Sequence, residues 1–243
     1  MAYTRGTNAN IIVGAAAIFV SKVGKAFDSK STTNVLPTPV LTESYKDTLQ
    51  TRHADKVDNI GYTNNGLDIT FTPTFGDVMV DQLLDVAKLY KSGMQVSLKT
   101  TFAEATLENL LISLAQKSGT LAGSTTKGTW TENGVYSLTT TTPITTTVST
   151  ATGSYIDLLS GDLGDYPVER SLIAVGPGLG NIAFPATAGV NDQNERVYVA
   201  YRVISISNVT VSAKRDAATA FDVEFRLLPD DNGAYGKIID RSY

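Results

Sequence analysis

The sequence has no cysteine, a single histidine and a single tryptophan. Without cysteine there is no disulfide framework, no thiolate nucleophile and no cysteine-based metal site. With His53 alone, a histidine-based zinc site is excluded. A Ser-His-Asp triad finds no support either, since no G-x-S-x-G elbow is present; His53 reads as a solvated loop residue. Charge is also scarce, at 18% of residues with a formal balance of −4, which argues against a dedicated nucleic-acid reader with its basic patch. Long apolar runs are missing as well. The longest, IIVGAAAIFV at 11–20, falls well short of the roughly 20 residues that span a bilayer. With only Arg5 ahead of it and no A-x-A site soon after, it reads as a buried strand rather than a signal peptide, and the chain is expected to be cytoplasmic when made.

What the chain has in abundance is Thr, Ser, Gly and Ala, a composition suited to β structure and self-contact. At 243 residues it is expected to form one large domain with a core that needs no staples. Residues 1–10 read as a polar arm. Residues 43–61 are charged and lack periodicity, so they read as a long loop, and Asn64-Asn65-Gly66 as a turn. Leu67, Ile69, Phe71, Pro73 and Phe75 then alternate against polar residues as a strand, with Pro73 putting its second half at an edge or bulge. Leu83, Val86, Ala87 and Tyr90 predict a helix over 82–91.

The clearest junction is MQVSLKTTFAEATLENLLISLAQKSG at 94–119. Met94, Val96, Leu98 and Phe102 follow a strand period. Leu107, Leu110, Leu111, Leu114 and Ala115 then form a helical stripe, predicting a packed amphipathic helix over about 103–117. Thr101 and Glu104 stand as a T-x-x-E capping box, and Gly119 suits a C-cap. The Gly/Thr/Ser tract at 119–153, containing Trp130, reads as short strands and turns in an outward insertion. SLIAV at 171–175 is a strand stopped by Gly176-Pro177-Gly178. Val197, Val199, Tyr201 and Val203 alternate, with a bulge expected at Ile204, and Phe221, Val223, Phe225 and Leu227 return as the next strand. Residues 234–243 read as a tail.

No chemistry-bearing motif survives inspection. GPGLGN at 176–181 has Asn181 where a dinucleotide loop needs its third glycine, and Pro185 breaks the helix that should follow. Asp77, Asp81 and Asp85 could share a helical face but lack a partner cluster, so they read as solvated. Asp230-Asp231-Asn232-Gly233 lacks the spacing and closing glutamate of a calcium loop and reads as a turn. Asn208-Val209-Thr210 is a glycosylation sequon that matters only in a eukaryotic secretory route. No catalytic, cofactor-binding or metal-ligating residue is assigned, no cofactor is expected, and the chain is not expected to be an enzyme.

The strand ending in TTFAEATLENLL resembles the tail tube (major tail) proteins of long-tailed bacteriophages. NIIVGAAAIFVSKVG, NIGYTNNGLDITFTPTFGDVMVDQ, DYPVERSLIAVGPG and ISISNVTVSAKRDAATAFDVEFRLLPDDNGAYGKIID resemble further segments of that family, in family order. The tract at 119–153 matches none. The resemblance implies a mainly β (α+β) fold, a tail-tube-type β-sandwich or barrel over 1–243. It implies hexameric rings stacked into a hollow tube through which the genome passes transiently. The partners implied are a tape measure inside the tube, a tail terminator, a baseplate or tip and, in contractile tails, a sheath, with no membrane. The location implied is the virion tail, assembled in the bacterial host cytoplasm. It further implies that the loop at 43–61 and the arms at 1–10 and 234–243 make the ring-to-ring contacts, so that deleting 45–58 should leave a folded subunit that fails to polymerise. The competing expectation is a monomeric extracellular β-domain that binds carbohydrate or mediates adhesion.

Overall fold

The computed structural model describes residues 14–29, 32–79, 85–114, 135–137, 152–154, 167–178, 194–211, 215 and 219–243. They form a mainly β structure with two short helices. Eight strands make one antiparallel sheet: β1 (Ala17–Ser21), β2 (Val57–Asn59), β3 (Thr63–Val78), β4 (Lys88–Phe102), β7 (Arg170–Pro177), β8 (Asn194–Ser205), β9 (Phe221–Leu228) and β10 (Gly236–Ser242). Seven of them run in the order β2-β1-β7-β8-β9-β4-β3, and β10 pairs with β8 off this path. Among the described residues, β5 (Val135–Ser137) and β6 (Thr152–Ser154) pair only with each other.

The two outermost strands of that order are consecutive in the chain. Only residues 60–62 separate β2 from β3, so Asn59 and Thr63 lie within about 14 Å of each other. The sheet must therefore curl until its ends approach. Inside the curl lies one core with side chains from five strands, including Val20, Leu98, Leu172, Val203, Val223 and Phe225. Helix α2 (Leu107–Leu114) adds Ile112 to it.

A second core covers the outer face of β1, β7 and β8. Phe19, Ile173, Val197, Val199 and Tyr201 pack there against Phe27 and against Tyr45 and Leu49 of helix α1 (Tyr45–Arg52). These three strands are thus buried on both faces. This explains why AIFV and SLIAV are unbroken apolar runs, while β9, with one face in water, alternates cleanly. In β8, Arg170 pairs with Val203 but Leu172 with Ala200, so an extra β8 residue sits between those partners. The bulge carries Val203 to the inner core shared with Ala200. It lies a little before the expected Ile204.

Several expectations need correction. Residues 43–61 are not a long loop. Ser44 caps α1 through its side chain, and Tyr45, Thr48 and Leu49 form a buried i, i+3, i+4 stripe too short and too polar to show as periodicity. The tail at 234–243 is not an arm, because β10 pairs with β8 from Gly236↔Ala200 to Ser242↔Asn194. The helix expected over 82–91 is absent at 88–91, where β4 pairs with β3; ladder pairing overrides a weak helical spacing there, and 80–84 lie outside the described residues. Asn64-Asn65-Gly66 does not end a strand. Asn65 (φ 63°) and Gly66 (φ 71°) form a bulge inside β3.

The helix at the central junction spans 107–114 rather than 103–117, with 115–117 and Gly119 outside the described residues. The capping box does not form either. Thr106 Oγ1 accepts the Asn109 amide at the helix start, Thr101 Oγ1 donates to Asp222, and Glu104 accepts the Tyr62 amide. The arm at 1–10, most of the tract at 119–153, and Trp130 lie outside the described residues.

Candidate functional site

The residues weighed in the sequence for chemistry do not converge. His53 closes the C-terminus of α1, its backbone amide donating to the Leu49 carbonyl. Asp77 stands in β3 opposite Leu89, and the Asp85 carboxylate accepts the Val86 amide. Asp81 lies outside the described residues, as do 179–181 of the GPGLGN segment, whose Gly176 and Pro177 belong to β7. Asp230 organises the turn between β9 and β10, accepting the backbone amides of Ser29, Asn232 and Ala234. Asn208 is exposed in the coil after β8. Among the described residues, no group of three His, Cys, Asp or Glu side chains could hold a metal ion, and no helix is long and apolar enough to cross a membrane.

The unusual surface lies elsewhere. β3 and β4 pair continuously from Thr63↔Phe102 to Val78↔Lys88, a ribbon of about 50 Å. β9 covers the far edge of β4 only over Val96–Phe102, so residues 88–95 have β3 as their only strand partner among the described residues, over about 26 Å. The ribbon therefore leaves the body as a two-stranded arm.

Alternation along β3 continues onto this arm, so the core-facing side runs out into solvent. Ile69 and Leu98 face each other inside; Phe71 pairs with Val96, Pro73 with Met94, Phe75 with Lys91 and Asp77 with Leu89. The opposite face carries Thr70, Thr72, Thr74, Gln95 and Ser97, and toward the tip the exposed Tyr90 and Val78. Phe71 is 52% exposed, Phe75 58% and Leu89 63%. An amphipathic sheet face is normally built against another layer, and among the described residues none covers it. At roughly half-exposure these three side chains present about 300 Å² of apolar surface, worth on the order of 7 kcal/mol gross if buried. The jump from Thr74↔Gly93 to Phe75↔Lys91 leaves Ser92 unopposed, a bulge that re-aims the outer arm.

At the base of the arm the sheet forks. β9 and β10 share one edge of β8, β9 pairing with Arg202–Ser205 and β10 with Asn194–Ala200. Beyond the end of β9, β10 and the arm of β4 diverge. Between them opens a cleft of about 280 Å³, walled by Ile69, Phe71 and Val96 on one side and Tyr198, Tyr235 and Ile238 on the other. The Tyr235 hydroxyl donates to the Met94 carbonyl and pins the fork.

A buried polar latch fixes the β10 wall. Glu195 accepts the Tyr45 amide at 2.8 Å, the Ser44 hydroxyl at 2.8 Å and Arg241 Nη1 at 2.9 Å. Arg241 Nη2 donates to the carbonyls of Val40 and Glu43, and its guanidinium stacks over the Tyr243 ring. β8, β10 and the start of α1 are thereby tied to one ion pair. Burial raises the pKa of the Tyr45 phenol well above its usual value, so it stays a donor to the Pro37 carbonyl. Sequence reasoning missed the latch, since Glu195 and Arg241 are far apart in the chain. It also missed the outer arm, whose signal was the continuation of the Leu67–Phe75 alternation opposite a second alternating strand. Compared with family models and with curated proteins, the sequence matches none of either.

Proposed function

We propose that this chain is a structural subunit that assembles with copies of itself into stacked hexameric rings, forming the hollow tail tube of a long-tailed bacteriophage. The reading gives it no catalytic site and no cofactor. Its other partners would be the tape measure within the tube, a terminator, and a baseplate or tip. The observation that carries the reading is the arm, a long ribbon whose apolar face extends beyond the core with no layer over it among the described residues. A protein that worked as a monomer would pair, shorten or charge such a ribbon.

Two further features support self-assembly. The outer edges of β3 and β10 have no strand partner among the described residues, and copies can remove such edges by pairing across them. The segments resembling the tail tube family include the β3 strand of the arm and the end of β4 where it enters α2. The mild negative charge suits a conduit in which DNA slides instead of being held by phosphate contacts. Negative-stain electron microscopy of the purified protein at rising concentration tests the reading. Rings or hollow tubes are expected. A monomer that binds glycans and never associates would favour a carbohydrate-binding or adhesive domain.

A further inference from the structure

The geometry points to a head-to-tail contact in which the outer arm of one copy seats its apolar side chains, Phe75 and Leu89, in the cleft between β10 and β4 of the next copy. The inference rests on the self-assembly reading and specifies which two surfaces meet.

Both halves of the contact are present on every chain. The tip half is the outer end of the apolar stripe, where Phe75 and Leu89 lie diagonally on one face and are each more than half exposed. The receiving half is the cleft, apolar on both walls, with Ile238 58% exposed at its mouth. Size agrees with chemistry. An engineered apolar cavity of about 150 Å³ takes up one benzene ring, so 280 Å³ has room for an aromatic and an aliphatic side chain together.

Charge agrees as well. Asp77 and Lys91 stand on the same face of the arm, paired with Leu89 and Phe75, and Lys237 lines the cleft. None of the three has an ion-pair partner among the described residues. Seating the tip with Asp77 turned toward Lys237, and Lys91 away from it, would bring opposite charges together at the border of an apolar contact and set which way round the tip sits.

The receiving wall is also stiff. β10 is held to β8 along its length and anchored by Arg241 to Glu195, so the cleft does not have to be assembled when the tip arrives. The arm cannot reach its own cleft with its tip, because it leaves the body from one wall of that cleft. The contact is therefore heterologous, and each seated tip leaves another cleft and another tip free for further copies.

The absence of cysteine makes the test clean. Phe75→Cys and Ile238→Cys are made separately, at exposed positions where folding is not at stake, and are mixed under mild oxidation. Wild-type association is followed in parallel by sedimentation. The expected result is a disulfide between positions 75 and 238 in the mixture, with little dimer from either variant alone and loss of the cross-link when Asp77→Lys is added to the first variant. Abundant 75–75 dimers from Phe75→Cys alone would replace the contact with an arm-to-arm one. No cross-link from proteins that still associate would overturn the contact while leaving self-assembly standing. Wild-type protein that stays monomeric at every concentration would overturn self-assembly itself.

Discussion

Glu195 and Arg241 show how a few side chains hold the receiving wall together. Their pair is almost fully buried, and breaking such a pair leaves an uncompensated charge. Arg241→Ala is expected to cost about 3 kcal/mol or more, read as a lowered urea midpoint in dilute protein, and to release β10 from protection against hydrogen exchange. Gly236 acts by what it lacks. A Cβ there would fall inside contact distance of the Val199 carbonyl oxygen, which is backbone and cannot move aside. Gly236→Ala is expected to detach the start of β10, whereas Gly93→Ala, whose nearest neighbour is Thr74 at 3.8 Å, should be tolerated.

Asp230 sets an acid dependence. The hydrogen bonds of Ser29, with the amides of Ala234 and Asn232, hold its carboxyl well below the usual carboxylate range. A carboxyl with a lowered folded pKa contributes stability that is complete above its unfolded value, about 3.9, and is lost as pH falls through the folded one. Stability should therefore fall below about pH 4. Asp230→Asn should flatten that acid limb in a denaturant series across pH; an unchanged limb would move the effect to another carboxyl.

Among the elements, α1 carries the sharpest revision. The segment at 45–58 contributes Tyr45, Leu49 and Val57 to the outer core and supplies most of β2. Deleting it would expose Phe27 and Tyr201 and remove most of β2, the strand at one end of the sheet. Loss of cooperative folding is now the expected outcome, measured by circular dichroism on heating, in place of a folded subunit. α2 is held more locally. Asn109 Nδ2 donates to the carbonyls of Ile60 and Glu104, tying the helix to the link between β2 and β3. Asn109→Ala would strand those carbonyls at a cost of about 1–3 kcal/mol, again read from the denaturation midpoint.

These elements also mark what could be read in the sequence. β9 was legible because one face is wet and its residues alternate. The junction from β4 to α2 was legible because the apolar period changes within a few residues. α1 was not, because only three of its residues are buried and one is Thr48. The strand character of 88–91 was hidden because a helical spacing of Leu83, Val86, Ala87 and Tyr90 competes with pairing to residues distant in the chain. β10 was hidden because Lys237, Asp240 and Arg241 look like a polar tail until Arg241 finds Glu195. The arm face was half legible: Phe71 and Phe75 were read as apolar strand positions, but nothing local says that, among the described residues, no layer lies opposite them.

For the whole molecule, the decisive feature is an imbalance. The curled sheet and its two cores are well covered, yet the face that lines the inner core continues along the arm without a cover among the described residues. The account's central claim is that copies of the chain supply that cover. The most direct measurement is negative-stain electron microscopy of wild type and of the double variant Phe75→Lys/Leu89→Lys, imaged over the same concentration series. The expected result is rings or tubes from wild type and single folded particles from the variant, with matching circular dichroism showing that only association is lost. Tubes from both proteins, or uniform small particles from wild type at every concentration, would contradict the claim.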